Sequence, residues 1–404
     1  KKKRKKNSLQ DEISYNEISN CRIIGLTLET RPDCINVYEI KRFREYGCTR
    51  VQLGVQHIND DILKKINRGC YTKHTIKAIY LLKQNCFKVD IHLMPDLYGS
   101  SLEKDKEMFD KLLGYEIIES KFDLFLIIVM FTFGFIFPEI IPVALFVIWI
   151  NKGNIIEYKL TEPRIQADQW KIYPTETTPW TKILELYNQG KYKPYAEEIN
   201  KETGRTKIVD LLLHVMPKVF PWIRVNRVIR DIPTTEIIAG NAIPSLRSDI
   251  NRMLKKEGKF CQSIRNREVK NKKINKNNIR LVIRKYNDNN ADEYFISFES
   301  KDLKTIYGFC RLRLSYNNDG IYFYEIRNCA KVRELHVYGQ MTRHDVKGRN
   351  TQHMGFGKKL MKEAEKIAKK NGFNKICVIS GVGVRKYYYK LGYRYNNTYM
   401  VKEL

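Results

Sequence analysis

The chain has 404 residues, with 73 Lys+Arg against 45 Asp+Glu and a formal net charge of +28. With 43% hydrophobic residues, 22 Gly and 12 Pro, it is not a wholly disordered, collagen-like or disulfide-scaffold chain, and its length suggests about two to three domains. The basic excess points to a polyanionic partner, nucleic acid first and an acidic membrane surface second, although a Lys-, Asn- and Ile-rich composition bias also contributes to it.

The chain opens KKKRKK rather than with Met, and residues 1–21 read as a basic and polar lead-in to a fragment or incomplete gene model. The basic run reads as a solvated tail or interior loop sooner than as a nuclear localisation signal. Nine cysteines are scattered (Cys21, Cys34, Cys48, Cys70, Cys86, Cys261, Cys310, Cys329 and Cys377), with no C-x-x-C pair. Reduced, intracellular thiols are the expectation.

Strand and helix patterns alternate from Arg22 onward. RIIGLTLE (22–29) is a short apolar run, as expected for a strand covered on both faces, and Pro32 stops it. A helix over Val37–Tyr46 ends at Gly47, and TRVQLGVQ (49–56) is the next strand. Helices over 58–66 and 73–85 lead to the strand KVDIHLMPDL (88–97), and Leu102–Leu113 is another helix. Repeated βα units of this spacing predict a parallel sheet, open or closed into a barrel.

LFLIIVMFTFGFIFPEIIPVALFVIWI (124–150) interrupts this pattern and is long enough to span a bilayer. Pro138, Glu139 and Pro142 split it, and one central charge costs about 2.5–3.5 kcal/mol on insertion scales. The expectation is an apolar insert over about 122–160, a retained intron or gene-model error, with a membrane role only if the segment is real.

The pattern then resumes with strands QWKIYP (169–174) and WIRVNRVI (222–229), helices over 179–190 and 206–216, and RDIP (230–233) closing the first domain. Polar residues at the ends of parallel strands mark α/β sites. Here those ends supply Glu29, Thr30, Arg31, Gln56, His92, Asp96, Lys171 and Tyr173. Residues 234–276 read as a basic linker or docking region with a helix at 245–256.

A second domain over 277–404 begins with five strand patterns, IRLVIRKY, EYFISFES, TIYGFCRLRLSY, GIYFYEIRN and VRELHVYG, expected to form an antiparallel meander. A helix over 351–373, a strand KICVIS (375–380) and a short helix 384–393 follow. Gln352-x-x-Gly355-x-Gly357 opens the long helix. Helix N-terminal N–H groups are unpaired and face a positive dipole end, and glycines let a phosphate approach the backbone. A pyrophosphate is the natural ligand, and the plain alternative is a Gly-rich turn.

This order of sheet, loop, helix, strand and Tyr-rich helix resembles the GNAT acetyltransferases. The resemblance implies that Gln352, Gly355, Phe356, Gly357 and Lys358 bind the pyrophosphate of acetyl-CoA. It implies that Glu334, Leu335, His336 and Val337 pair through their backbone with its pantetheine arm, and that Tyr388 or Tyr387 sits near the thioester. Packing is the alternative for the tyrosines.

RELHVYG, QHMGFGKKLMKEAEKIA, VISGVGVRKYYYKLGY and YMVK, with IGLTLETRPD, YGCTRVQLGVQ, INRG, HLMPDL, WKIYP and RVIRDIP before them, resemble the catalytic subunits of the Elongator complex. The fold class this implies is α/β: a partial radical-SAM (βα) barrel over 22–233, then an α+β GNAT domain. The implied function is carboxymethylation of the wobble uridine at tRNA position 34, using acetyl-CoA, S-adenosylmethionine and a [4Fe–4S] cluster. Glu29, Arg31 and Gln56 would contact S-adenosylmethionine or shape the barrel mouth, and His92 and Lys171 would line the cavity. tRNA and other Elongator subunits are the implied partners, and the cytoplasm, with the nucleus, the implied location. Lysine acetylation of histones or other proteins is a rival activity, and a non-catalytic tRNA- and acetyl-CoA-binding remnant a third.

The sequence departs from the family in three places. The family's cluster cysteines would precede this chain's first residue, so reductive cleavage of S-adenosylmethionine is not expected of the chain as it stands. The apolar insert is the second departure. Cys261, in a stretch that some relatives use for zinc, is the third, and a buried free thiol is its simpler reading.

Overall fold

The computed structural model describes residues 7–117, 155–229, 232–270, 274–339 and 355–404. The apolar segment 124–150, the KKKRKK run and Gln352 lie outside the described residues. Among the described residues no helix is long and apolar enough to cross a membrane.

Helix α1 (Leu9–Ile18) leads into a five-stranded, wholly parallel sheet. Its strands are β1 (Leu26–Thr30), β2 (Cys48–Gln56), β3 (Lys88–Leu93), β6 (Gln169–Ile172) and β8 (Arg224–Arg227), in that spatial order. The intervening helices are α2 (Val37–Glu45), α3 (Asp60–Lys65), α4 (Thr72–Gln84) and α5 (Leu102–Leu113). Asn36, Asn59 and Ser101 start α2, α3 and α5 by accepting backbone N–H bonds of the first turn. Beyond β6 come β7 (Glu176–Thr177), α6 (Lys182–Asn188) and α7 (Lys207–Val215), and β7 pairs antiparallel with β9 (Ala239–Gly240).

Alternation decides the two faces of this sheet. Val51, Leu53, Val55, Val89, Ile91, Leu93, Trp170, Ile172 and Val225 are buried in the first core. Gln52, Asp90, His92 and Lys171 alternate with them. Glu29 pairs in register with Gln52, Gln52 with Asp90, Asp90 with Gln169, and Gln169 with Arg224, so one polar row crosses all five strands. The expectation that 22–29 is a strand covered on both faces does not hold, since Leu26–Leu28 are half-buried and Glu29 is exposed. The first strand also begins only at Leu26, with Ile23 and Ile24 exposed before it.

Between β8 and the second sheet, α8 (Leu246–Lys256) buries Leu246, Ile250 and Leu254 in the first core, and α9 (Ile264–Arg267) follows. The segment 234–276 thus contains a helix packed on the first domain.

The second sheet has nine strands. An antiparallel run joins β10 (Ile279–Asp288), β11 (Ala291–Ser300), β12 (Ile306–Ser315) and β13 (Ala330–Val337). β14 (Lys375–Val378) continues it in parallel, and β16 (Tyr399–Glu403) and β15 (Arg394–Asn396) close that edge. GIYFYEIRN is not a strand. Its backbone turns through Tyr324–Ile326 and docks on the first domain, where Asn85 donates to the Gly320 carbonyl (2.7 Å) and accepts from Tyr322 N–H (2.9 Å). At the other edge, β5 (Ile155–Leu160) lies parallel to β10, with β4 (Tyr115–Ile117) antiparallel outside it. Residues 155–160, expected within the insert, are therefore part of the second sheet.

Helix α10 (Phe356–Lys370) covers one face of this sheet with Leu360, Met361, Ala364, Ile367 and Ala368. The other face meets the first domain. There Trp222 stacks between Phe220 (4.5 Å, 14°) and Tyr286 (4.4 Å, 9°). Beside this stack lies a buried ionic chain in which Arg333 bridges Asp168 and Glu293, Arg313 pairs with Glu293, and Lys83 with Asp288.

Candidate active site

The second domain opens a cleft where two strands part. β14 pairs with β13 only at Ala330, Lys331 and Val332, which leaves that side of Glu334–Val337 without a partner strand among the described residues. On the other side a register shift between Arg311 and Leu312 bulges β13 against β12. Into the parted side comes the N-terminus of α10. Gly355, its N-cap, has φ +70, a left-handed conformation natural to glycine. Gly357 is packed so closely that a Cβ would meet the Tyr387 hydroxyl oxygen at 2.6 Å and Val337 Cγ2 at 3.7 Å.

The expected residues divide here. Gly357, Val337 and Tyr387 meet at one point. Phe356 anchors the turn, buried against Phe298 at 4.7 Å between rings, while Lys358 is exposed. Tyr387 and Tyr388, on α11 (Arg385–Tyr389), point differently: Tyr388 is buried in the second core, and burial raises its pKa, whereas Tyr387 is partly exposed. Leu335 packs on that same core. Glu334 turns toward the first domain, taking a hydrogen bond from Arg311 Nε (2.9 Å) with Lys88 Nζ at 3.6 Å. Burial opposes its ionisation, but Lys88 and Arg311 outweigh burial and bring its pKa down to about 2. His336 stacks on Phe309 (5.9 Å, 19°) and lies 4.4 Å from the Tyr338 ring. Tyr338 in turn accepts a hydrogen bond from Arg224 Nη1 (3.0 Å), at the end of the polar row.

In the first domain the strand ends bring Glu29, His92 and Lys171 together. His92 Nδ1 lies 3.6 Å from Glu29, Lys171 Nζ lies 4.0 Å from Glu29, and Lys171 donates to Gln52 Oε1 at 2.6 Å. Tyr173 sets its edge against His92 at 5.6 Å. Gln56 ends β2 with φ +71, and its carbonyl accepts from Met94 N–H at 2.7 Å. Arg31 does not join this group; it chelates Asp33 (2.6 and 3.0 Å). Asp96 also turns away and accepts the backbone N–H groups of Tyr195 (2.9 Å) and Ala196 (2.8 Å).

The polar row adds Arg50, Gln52, Asp90, Gln169 and Asn226, which reading strand ends alone misses. Asn226 donates to Gln169 Oε1 (2.6 Å) and Asp90 Oδ2 (3.2 Å), and Arg50 donates to Gln169 Oε1 (3.0 Å). Asp90 Oδ1 is buried with no hydrogen-bond partner among the described residues. Burial pushes the Asp90 pKa up to about 6, against the pull of Lys171 and Arg50. The signal for these residues is period two in RVQLGVQ, KVDIHL and QWKI.

Among the described residues no group of three or more His, Cys, Asp or Glu could hold a metal ion. A [4Fe–4S] cluster is held by several thiolates in one place, and the described residues supply no such set. Cys261 is a buried free thiol whose pKa burial raises to about 11.

A parallel βα sheet with a polar inner face, joined to a sheet parted at the N-terminus of a long helix, defines a radical-SAM domain followed by a GNAT acetyltransferase domain. Family models agree: the Radical SAM superfamily matches residues 3–112, the Radical_SAM C-terminal domain 167–256, and the Acetyltransferase (GNAT) family 265–393. The solved structure of the archaeal Methanocaldococcus infernus Elp3 with an N-terminus deletion (1–46) matches with TM-score 0.80 and 34% identity, over 99% of this chain and 83% of that one. A tRNA uridine(34) acetyltransferase of M. infernus is 36% identical over 99% of this chain, and the Elongator complex protein 3 of Bos taurus 34% over 98%. The chain belongs to the Elongator complex protein 3 family, that of the Elongator catalytic subunit. It spans 66% and 64% of the length of these two curated relatives.

Proposed function

We propose that this chain modifies uridine 34 of tRNA and takes its acyl group from acetyl-CoA. The observation that carries this reading is the parted β13 strand, with Gly357, Val337 and the Tyr387 hydroxyl converging at the first turn of α10. Unpaired backbone groups of Glu334–Val337 suit an amide-bearing arm, and the N–H groups and dipole of α10 suit a pyrophosphate. Lys358, exposed in the first turn of α10, would meet the same phosphates, and Gln352 lies outside the described residues. Tyr387, whose hydroxyl reaches the turn, and Tyr388, buried beside it in the core, are the tyrosines we assign to the acetyl-CoA site. Acetyl-CoA supplies an activated acetyl group; the chain's residues bind and orient it.

The polar row and the strand-end group Glu29, His92 and Lys171, with Gln56 beside them, would receive the uridine or S-adenosylmethionine. Arg31, held by Asp33, would shape the rim. The net charge of +28 suits a tRNA backbone. The finer reading is the family's: carboxymethylation with S-adenosylmethionine and a [4Fe–4S] cluster, in company with other Elongator subunits, in the cytoplasm and the nucleus. No step is assigned to the cluster, whose ligands the described residues do not supply.

The test is release of CoA from acetyl-CoA by the purified chain, with tRNA carrying U34, the same tRNA with C34, or lysine peptides. Release stimulated by the U34 tRNA alone is expected. Acetylation of peptides without any tRNA effect would favour the lysine acetyltransferase reading, and binding without turnover would leave a binding module.

A further inference from the structure

Helix α1 precedes the first sheet, yet its end is tied to the second domain. None of its residues is buried, and two polar contacts hold its last turn. Asn16 brackets Ile23, donating from Nδ2 to the Ile23 carbonyl (3.0 Å) and accepting the Ile23 N–H at Oδ1 (2.7 Å). Glu17 Oε2 accepts a hydrogen bond from Arg385 Nη1 at 3.0 Å.

The loop 381–384, which delivers the chain to α11, sits on the residues that Asn16 holds. The Gly383 N–H donates to the Ile23 carbonyl at 3.2 Å. A Cβ on Gly381 would collide with the Ile24 carbonyl oxygen, and one on Gly383 would lie 2.7 Å from that of Ile23, so the approach needs both glycines. Arg385, the first residue of α11, is buried. Its guanidinium is held on two sides. Nη2 donates to the Tyr395 hydroxyl at 3.0 Å with Cζ 3.9 Å from the centre of that ring, and Nη1 meets Glu17.

A helix as short as α11 does not fix its own orientation. Tyr388 anchors it in the second core, and Arg385 is the other anchor. Successive helical side chains turn by about 100°, so Arg385 and Tyr387 stand about 200° apart, on nearly opposite sides. A rotation that displaces Arg385 therefore swings the Tyr387 hydroxyl across the first turn of α10, where it closes over Gly357.

We propose, on the acetyl-CoA reading of this cleft, that Glu17 and Arg385 are positioning residues through which helix α1 sets the direction of Tyr387. They act through that tyrosine and need no contact with the ligand. Residues 16–24 form a brace outside the tyrosine helix. The brace runs on into β1, which carries Glu29, so the polar strand-end group and Tyr387 share one support.

Acetyl-CoA binding to the full chain, without tRNA, would be measured by titration calorimetry for the wild type, Glu17→Gln, Asn16→Ala, Tyr387→Phe and the Glu17→Gln/Tyr387→Phe double variant. Glu17→Gln should weaken binding about fivefold, within the range of coupling between residues of one network. With Tyr387→Phe already present, the same change should cost less than about twofold, since the hydroxyl that Glu17 positions is gone. Asn16→Ala frees Ile23 without removing a charge and should act in the same direction. Equal losses from Glu17→Gln in both backgrounds would make the pair a general support and overturn the proposal. Full affinity in Glu17→Gln, with a wild type that binds, would overturn it as well. A wild-type chain that binds no acetyl-CoA would overturn the acetyl-CoA reading and this one with it.

Discussion

Arg333 on β13 donates two parallel hydrogen bonds to Asp168 at the foot of β6, Nη1 to Oδ2 at 2.6 Å and Nη2 to Oδ1 at 2.7 Å. The same guanidinium donates from Nη2 to Glu293 at 2.9 Å, and the Val89 N–H donates to Asp168 Oδ2 at 2.9 Å. One arginine therefore ties the second sheet to two strands of the first. Truncating one member of such a buried pair leaves the other charge uncompensated. Arg333→Met should lower stability by about 3–5 kcal/mol. Urea unfolding at neutral pH measures it, and a loss under about 1 kcal/mol, the range of an exposed pair, would contradict the buried role.

These carboxylates also set the response to acid. The charges of Arg333 and Arg311 hold the Asp168 pKa well below the ordinary carboxylate range against its burial, and Lys88 and Arg311 hold Glu334 at about 2. A folded pKa below the unfolded one gives stability that is present above the unfolded value, about 4, and drains away as pH falls through the folded value. Melting temperature should thus decline as pH drops from about 4 toward 2. Glu334→Gln should flatten part of that decline; an unchanged slope would remove Glu334 from the account.

The turn at α10 is testable by subtraction. Gly357→Ala places a methyl 2.6 Å from the Tyr387 hydroxyl oxygen, so the ring must move. Titration calorimetry with CoA should show weakening by roughly tenfold, and adding Tyr387→Phe should recover part of it, as neighbouring sites couple. Gly355→Ala meets no atom but must hold φ +70, at a cost of about 1 kcal/mol. Strictly additive losses for the first pair would show that Gly357 and Tyr387 act separately.

Asp90 gives a prediction of opposite sign. Its folded pKa, about 6, lies above the unfolded value, so it costs stability increasingly as pH rises from about 4 to 6. Asp90→Asn should stabilise the chain at pH 7, on the order of 1–3 kcal/mol, and change little below pH 4. Lys171→Met removes the largest charge opposing burial and should raise the Asp90 pKa further, read from its carboxyl carbon shift by NMR.

Strand ends and glycine spacing were enough to bring Glu29, His92 and Lys171 together and to place Gly355 and Gly357 at a helix start. The polar row needed the period of two to be followed through each whole strand, because Gln52 and Asp90 sit mid-strand. Neighbouring tyrosines on a short helix differ by about 100° in direction, so only packing tells Tyr387 from Tyr388. GIYFYEIRN has strand composition, yet Asn85, distant in sequence, satisfies its backbone instead of a ladder.

The β5 strand makes the order of synthesis matter. It is made before the basic stretch 234–276, yet its ladder partners Ile283–Tyr286 emerge more than a hundred residues later. A nascent chain therefore holds an unmatched edge in waiting, the kind that recruits other chains or chaperones. Cutting the gene between its two named domains would strand β5 on one piece and bare β10 on the other. Two-piece expression should give aggregates unless both pieces are made together.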